Sequence, residues 1–139
     1  MDVNGLKLPD AFVRAVAQGA FSSHSVARPV EGLYPLNLDM AEVYQEQATL
    51  TQATLRVAIG FEPDDWYGAR TPDVPGGIPD IVNFSQIVCF GSSSAGEPFC
   101  FDFRHDAINP GVICWDGDAL SWRRIAPDFE AFLDQFGLR

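Results

Sequence analysis

Two glycines, Gly91 and Gly96, have the GxxxxG spacing of a phosphate-binding loop. Such a loop continues with Lys and then Ser or Thr, whose side chains contact the phosphates and the bound Mg²⁺. Here Glu97 and Pro98 follow instead. The carboxylate of Glu97 would repel a phosphate, and Pro98 has no N–H to donate. The spacing therefore predicts a loop that joins two strands and not a nucleotide site.

A second group of chemically capable residues follows one short apolar run: Cys100, Asp102, His105 and Asp106. A Cys–His nucleophilic pair or an Asp/His metal site is conceivable here. However, Cys100 alternates with Phe99 and Phe101, and acidic neighbours raise a thiol pKa, whereas a nucleophilic thiolate needs an accessible, electropositive setting. Asp102, His105 and Asp106 also lack a second ligand cluster at metal-site spacing, since His24 is the only other histidine. We therefore predict a polar hairpin end, with no catalytic residue, metal or cofactor.

A third group combines carboxylates with aromatic side chains in the run Asp64-Asp65-Trp66-Tyr67. Exposed Trp and Tyr ringed by acidic groups suit a contact with a basic partner. The ordinary alternative is that Trp66 folds back over the core and leaves the aspartates solvated. With the other acidic groups near the ends of the predicted strands, the predicted partner-binding residues are Asp64, Asp65, Trp66, Tyr67, Asp102, Asp106, Asp116 and Asp118.

The formal charge of −10 and the pI near 4.3 decide which partners are plausible. A nucleic-acid binder needs a basic face to displace counterions, so this class is excluded. An acidic field favours basic partners and speeds encounter with them. The alternative is that the charge serves only solubility.

Apolar runs bounded by Gly, Pro and Ser clusters predict the strands that position these groups. They are Ile87–Phe90, Phe99–Phe101 and Val112–Trp115. The stretch Phe61–Pro79 contains too many Pro and Gly residues for a long helix or a central strand, and it is predicted to be a long loop.

Three helices are predicted around these strands. The first begins at Pro9-Asp10 with a buried stripe of Phe12, Val13, Val16 and Ala17, and ends at Gly19. The second is capped by Asn37 or Asp39 and carries Met40, Val43, Tyr44, Gln47 and Leu50 at helical spacing, running toward Val57. The last follows Pro127-Asp128, with apolar positions Ile125, Phe129, Phe132, Leu133 and Phe136. The prediction is one α+β domain over residues 1–139, with a largely antiparallel sheet packed against N-terminal and C-terminal helices.

Three cysteines, all within predicted strands, suggest buried, reduced thiols. The N-terminus lacks the basic start and apolar stretch of a signal peptide, and no apolar run approaches membrane-spanning length. We expect a cytoplasmic protein without membrane partners.

The order and spacing of these elements resemble the SUKH superfamily, which includes yeast cell-wall regulators of the Smi/Knr type, the bacterial Syd protein and many bacterial immunity proteins. The matching residues are Leu8-Pro9, Ile87 to Gly91, Gly96, Phe101-Asp102, Val112 to Trp115, Ile125-Ala126, Phe129 and Phe132-Leu133. The stretch Phe61–Pro79 is longer and richer in Pro and Gly than the family pattern.

The resemblance implies a non-enzymatic protein-binding domain without cofactor or small-molecule ligand. Its bacterial members look like immunity proteins that neutralise a cognate polymorphic toxin, often a nuclease. An acidic surface would suit such a basic partner. Two alternatives stay open: an intracellular scaffold or regulatory protein of the Smi/Knr type, and a small hydrolase using His105.

Overall fold

The computed structural model describes residues 1–19, 21, 30–33, 36–60, 76–79, 81–117 and 119–136. The helices are α1 (Asp10–Ala17), α2 (Gln47–Gly60) and α3 (Phe129–Phe136). The strands are β1 (Asp2–Val3), β2 (Leu6–Lys7), β3 (Val30–Leu33), β4 (Leu36–Leu38), β5 (Glu42–Val43), β6 (Gly77–Ile78), β7 (Ile87–Ser92), β8 (Pro98–Asp102), β9 (Gly111–Asp116) and β10 (Ser121–Ala126).

The largest sheet in the described part of the chain has six strands in the order β5-β7-β8-β9-β10-β6. Its neighbouring strands all pair in antiparallel fashion, as do the two small pairs β1-β2 and β3-β4. The predicted α+β class with an antiparallel sheet is confirmed.

The central strands are buried on both faces, and alternation divides their side chains between two cores. On one face, Phe99 and Phe101 pack with residues of α1 and α3 in a cluster that includes Phe12, Phe90, Phe129 and Phe132. On the other, Cys100 and Ile113 pack with α2 residues and with Trp115 and Trp122. The three predicted strands are confirmed, and both tryptophans are buried in the core.

The predicted second helix is wrong in its first half. Glu42 and Val43 form strand β5 at the sheet edge, where the N–H of Tyr44 donates to the carbonyl of Phe90 at 2.8 Å, and helix α2 begins only at Gln47. Pairing with the sheet therefore overrides the helical spacing of the apolar residues. The helix does pass Val57 and ends at Gly60.

The last helix is also shorter than predicted, because Ile125 lies in strand β10. Helix α3 starts after Asp128, whose carboxylate accepts the N–H of Ala131 at 2.9 Å as a helix cap. In α1, Ala15 is buried and Ala17 is exposed, so the buried stripe includes Ala15 in place of the predicted Ala17.

The predicted loop Phe61–Pro79 lies only partly within the described residues. Its described end contains the short edge strand β6, which pairs with β10. An edge position agrees with the exclusion of a central strand by proline and glycine.

Candidate functional site

The backbone N–H groups of the loop between β7 and β8 donate to acceptors within the protein and are not free for a ligand. All five N–H groups of residues 93–97 donate to acceptors in the chain at 2.9–3.2 Å. The hydroxyl oxygen of Ser93 accepts two of them, at 3.1 and 3.2 Å, and the carboxylate of Asp39 accepts the N–H of Ser94 at 3.1 Å. A phosphate loop turns its N–H groups toward the ligand, whereas this loop turns them inward. The prediction of a connecting loop is confirmed.

Glu97, which replaces the phosphate-loop lysine, links two turns of the sheet. One of its carboxylate oxygens accepts the N–H of Gly117 at 2.6 Å, and the other accepts the hydroxyl of Ser93 at 3.3 Å. Gly91 has a packing role, because a Cβ there would lie 2.5 Å from the carbonyl oxygen of Glu42 on the neighbouring strand. Both residues thus position strands.

Asp102 ends β8 and holds Arg104 in a bidentate ion pair. Its two carboxylate oxygens accept the Nε and Nη2 donors of Arg104, each at 2.9 Å, and one also accepts the Arg104 backbone N–H at 3.1 Å. Burial raises the pKa of Asp102, but these hydrogen bonds and the arginine charge outweigh it, so the pKa lies below its usual value. The carboxylate is 0% exposed, so it acts inside the fold.

Three of the predicted acidic residues lie in the described part of the chain. Asp106 is exposed, whereas Asp102 and Asp116 are buried. The carboxylate of Asp106 accepts the backbone N–H groups of Ile108 and Asn109, each at 2.9 Å, and these bonds lower its pKa. His105 is exposed beside it, whereas Cys100 is 0% exposed, and burial raises the pKa of that thiol well above its usual value. Among the described residues, no three His, Cys, Asp or Glu side chains are grouped to hold a metal ion.

Asp116 lies at the opposite end of the sheet from Asp102. Gly111 pairs with Asp102, and Asp116 lies five residues further along β9, a distance of about 17 Å at about 3.4 Å per residue. Its carboxylate forms an ion pair with Arg123 at 2.8 Å, with both side chains less than 5% exposed. Among the described residues, the structure therefore places Asp102 and Asp116 apart and buries both in ion pairs. Asp64, Asp65, Trp66, Tyr67 and Asp118 lie outside the described residues.

An exposed apolar patch, formed by Leu55, Ile59 and Val82, was missed from the sequence. These side chains are 58%, 65% and 59% exposed. They line a groove of about 460 Å³ between α2 and residues 82–85. The sequence shows that Leu55 and Ile59 are an i, i+4 pair, but the structure is needed to show that they lie off the buried stripe of α2 formed by Leu50, Ala53 and Val57. Side chains of this kind, when exposed together, are typical of interaction surfaces.

A second feature missed from the sequence is a small open cavity beside α2, which we call the Cys89 cavity. It has a volume of about 200 Å³, and its lining includes Tyr44, Arg56, Cys89 and Pro98. Cys89 is 3% exposed as a residue, and Arg56 is exposed. This cavity brings together a cysteine and a positive charge that are 33 residues apart in the chain.

None of the described helices has the length and apolar character needed to cross a membrane. A family model described as SMI1 / KNR4 family (SUKH-1) matches residues 3–135. No curated protein and no solved structure gives a significant match.

Proposed function

The chain belongs to the SMI1 / KNR4 family (SUKH-1), and from this we propose that it is a non-enzymatic immunity protein that binds and neutralises a bacterial toxin domain. The observation that carries the proposal is the family match, which spans residues 3–135 and so includes every sheet strand and both terminal helices in nearly their full length. The toxin is proposed to be a nuclease.

The charge of the chain supports a basic partner. A nuclease needs a positive surface to hold its substrate, and a protein of net charge −10 would be drawn to that surface. Binding there would mask the substrate site without any chemistry. The same field would accelerate association at low ionic strength.

Charge alone would give a weak complex, because exposed ion pairs contribute only about 0–1 kcal/mol each. A stable interface also needs a desolvated centre of large side chains. We assign this centre to the patch of Leu55, Ile59 and Val82, the exposed apolar cluster of the described surface that lines a groove. The predicted segment Asp64-Asp65-Trp66-Tyr67 remains part of the proposed surface, and it follows α2 directly in the chain.

The acidic residues of the predicted set contribute differently to this proposal. Asp106 is exposed and can meet a basic partner. Asp102 and Asp116 have their carboxylates in ion pairs with arginines of the same chain, so we propose that they act by holding the ends of β8 and β9 in place. Asp118 stays in the proposed surface on its sequence alone.

The proposal is tested by co-expressing the chain with a toxin domain encoded beside it. The parent should protect cells, and Leu55→Asp or Ile59→Asp should abolish protection, because a carboxylate would be desolvated at the interface centre. Gln135→Asp is the control for the added charge, since Gln135 is exposed on α3 and lies outside both the patch and the predicted partner-binding residues. Equal protection by all variants, each shown by circular dichroism to be folded, would remove the patch from the proposal. No protection by the parent would contradict toxin neutralisation.

The acidic contribution is tested separately by Asp106→Lys, with Glu42→Lys as the control. Both residues are exposed, but they lie at opposite ends of the sheet strands. Glu42 pairs with Ser92 at one end of β7, and the turn that contains Asp106 lies at the other end. If Asp106 lies in the interface, its reversal should slow association with the toxin domain more than the reversal of Glu42. Equal effects would mean that only the net charge matters.

The family name favours a second candidate, an intracellular scaffold or regulatory protein of the SMI1 / KNR4 type. Such a protein would also bind through the patch, but its gene would have no toxin gene beside it. The gene neighbourhood therefore separates the two candidates before any protein is made.

A further inference from the structure

Two of the three cysteines face each other across neighbouring strands. Cys89 of β7 is in register with Cys100 of β8, and both side chains belong to the cluster under α2. The N–H of Cys89 donates to the hydroxyl of Thr54 at 3.0 Å and so points away from β8. This makes the pair a non-hydrogen-bonded one, in which the Cα atoms lie about 4.5 Å apart and the side chains are closest.

That separation falls at the short end of the range of about 4.4–6.8 Å between Cα atoms in disulfides. Both side chains point to the same face of the sheet, so the two thiols face each other, and the Cys89 thiol donates to the carbonyl of Gly91 at 3.4 Å. A bond between the two sulfur atoms would therefore require no rearrangement of the sheet.

The surroundings of the two thiols differ in a way that assigns their roles. Cys89 lines the open Cys89 cavity, where the charge of Arg56 acts on it. The neighbouring thiol of Cys100 outweighs burial and, with Arg56, lowers the pKa of Cys89. Burial raises the pKa of Cys100 well above its usual value. Attack on a small oxidant by Cys89, followed by resolution by Cys100, is the order this arrangement favours.

We propose that Cys89 and Cys100 are a peroxide-sensitive pair that closes to a cross-strand disulfide. The Cys89 thiolate attacks one oxygen of hydrogen peroxide, the O–O bond breaks, and hydroxide leaves as the sulfenic acid forms. The sulfur of Cys100 then attacks the sulfur of Cys89, the S–O bond breaks, and the released hydroxide takes up the Cys100 proton. Two thiols and one peroxide thus give one disulfide and two waters.

The third cysteine provides an internal control. Cys114 is in register with Phe99 and lies in the phenylalanine cluster on the other face of the sheet. Burial raises the pKa of its thiol well above the usual value. It shares the burial of the other two cysteines but has neither a facing thiol nor a place in the cavity lining, so it should stay reduced.

The experiment treats the folded full chain with hydrogen peroxide, quenches with catalase, and alkylates in denaturant without reductant. Trypsin then separates the residues cleanly, because cleavage after Arg70, Arg104 and Arg123 puts the pair in peptide 71–104 and Cys114 in peptide 105–123. Peptide 71–104 should be unalkylated and lighter by the mass of two hydrogen atoms, and peptide 105–123 should be alkylated. Dithiothreitol should restore both thiols.

Variants identify the attacking thiol. Cys100→Ser should leave Cys89 as a sulfenic acid that dimedone captures, and Cys89→Ser should leave Cys100 reduced. Arg56→Gln, on the exposed side of α2, should slow oxidation of the parent pair several-fold without affecting the fold. The proposal is overturned if peroxide oxidises Cys114 as fast as Cys89, or if the folded parent keeps three free thiols under conditions that oxidise the denatured chain.

Discussion

Replacing Asp116 with Ala should destabilise the fold, because the structure places this carboxylate inside the protein. It lies 2.8 Å from the Nε atom of Arg123, and the side chains are 3% and 4% exposed. It also accepts the backbone N–H of Ala119 at 3.2 Å. Removing one partner of a buried ion pair typically costs about 3–5 kcal/mol, since the other charge stays buried without compensation. The total stability of a domain is about 5–15 kcal/mol, so about a fifth or more of it would be lost.

Urea unfolding followed by tryptophan fluorescence measures this change. With a denaturant dependence of about 2 kcal/mol/M, the midpoint should fall by roughly 2 M. Asp106→Ala is the matched control, because it deletes the same group at an exposed turn and should shift the midpoint far less. Asp116→Leu combined with Arg123→Met should recover most of the loss, because both charges of this pair are removed. A midpoint unchanged by Asp116→Ala, together with weakened partner binding, would refute the structural role and restore Asp116 to the interface.

Three further predictions follow from the core, the carboxylates and the thiols. Phe101→Ala and Phe132→Ala, at positions that are 0% exposed, should each cost about 3–5 kcal/mol of unfolding free energy, and a parent-like urea midpoint would contradict their core positions. Because the folded-state pKa of Asp102 is lowered, its contribution to stability is present above the unfolded carboxyl pKa and is lost as the pH falls through the folded value. Acidification should therefore destabilise the parent more than Asp102→Asn, and equal slopes of unfolding free energy against pH would argue against this. Thiol titration of untreated, denatured protein should return all three cysteines as free, whereas a count of one would show a bridge in the resting state.

The three central strands, β7, β8 and β9, could be predicted from sequence because they are almost purely apolar. The runs around Phe90, Phe101 and Ile113 are each bounded by turn residues, and burial on both faces leaves no competing helical pattern. The loop from Gly91 to Gly96 was also predictable, since Glu97 and Pro98 rule out phosphate chemistry.

Strand β10 was not predicted, because two arginines interrupt its apolar residues. Arg123 is buried with its Nε atom 2.8 Å from the carboxylate of Asp116 on the neighbouring strand, and the sequence does not show that this pair forms. Likewise Glu42 and Val43 are strand residues because β7 offers them backbone partners. The helical spacing of the apolar residues predicted a helix here, because it contains no information about the free edge of β7.

The candidate site was predicted in composition but not in arrangement. The acidic character of the chain was evident, yet Asp102 and Asp116 turned out to lie at opposite ends of the sheet and in ion pairs. The apolar patch at Leu55 and Ile59 depends on which side of α2 faces the sheet. That orientation is set by packing and cannot be deduced from a helix with apolar residues on several sides.

The central claim, that this chain neutralises a basic toxin by binding it, is tested most directly by titrating the purified chain into a nuclease assay of the purified toxin domain encoded beside it. Inhibition should reach completion at one chain per toxin domain, and its onset should slow as the salt concentration rises, because the encounter is steered by opposite charges. Full nuclease activity in the presence of excess folded chain, at low salt, would contradict the account.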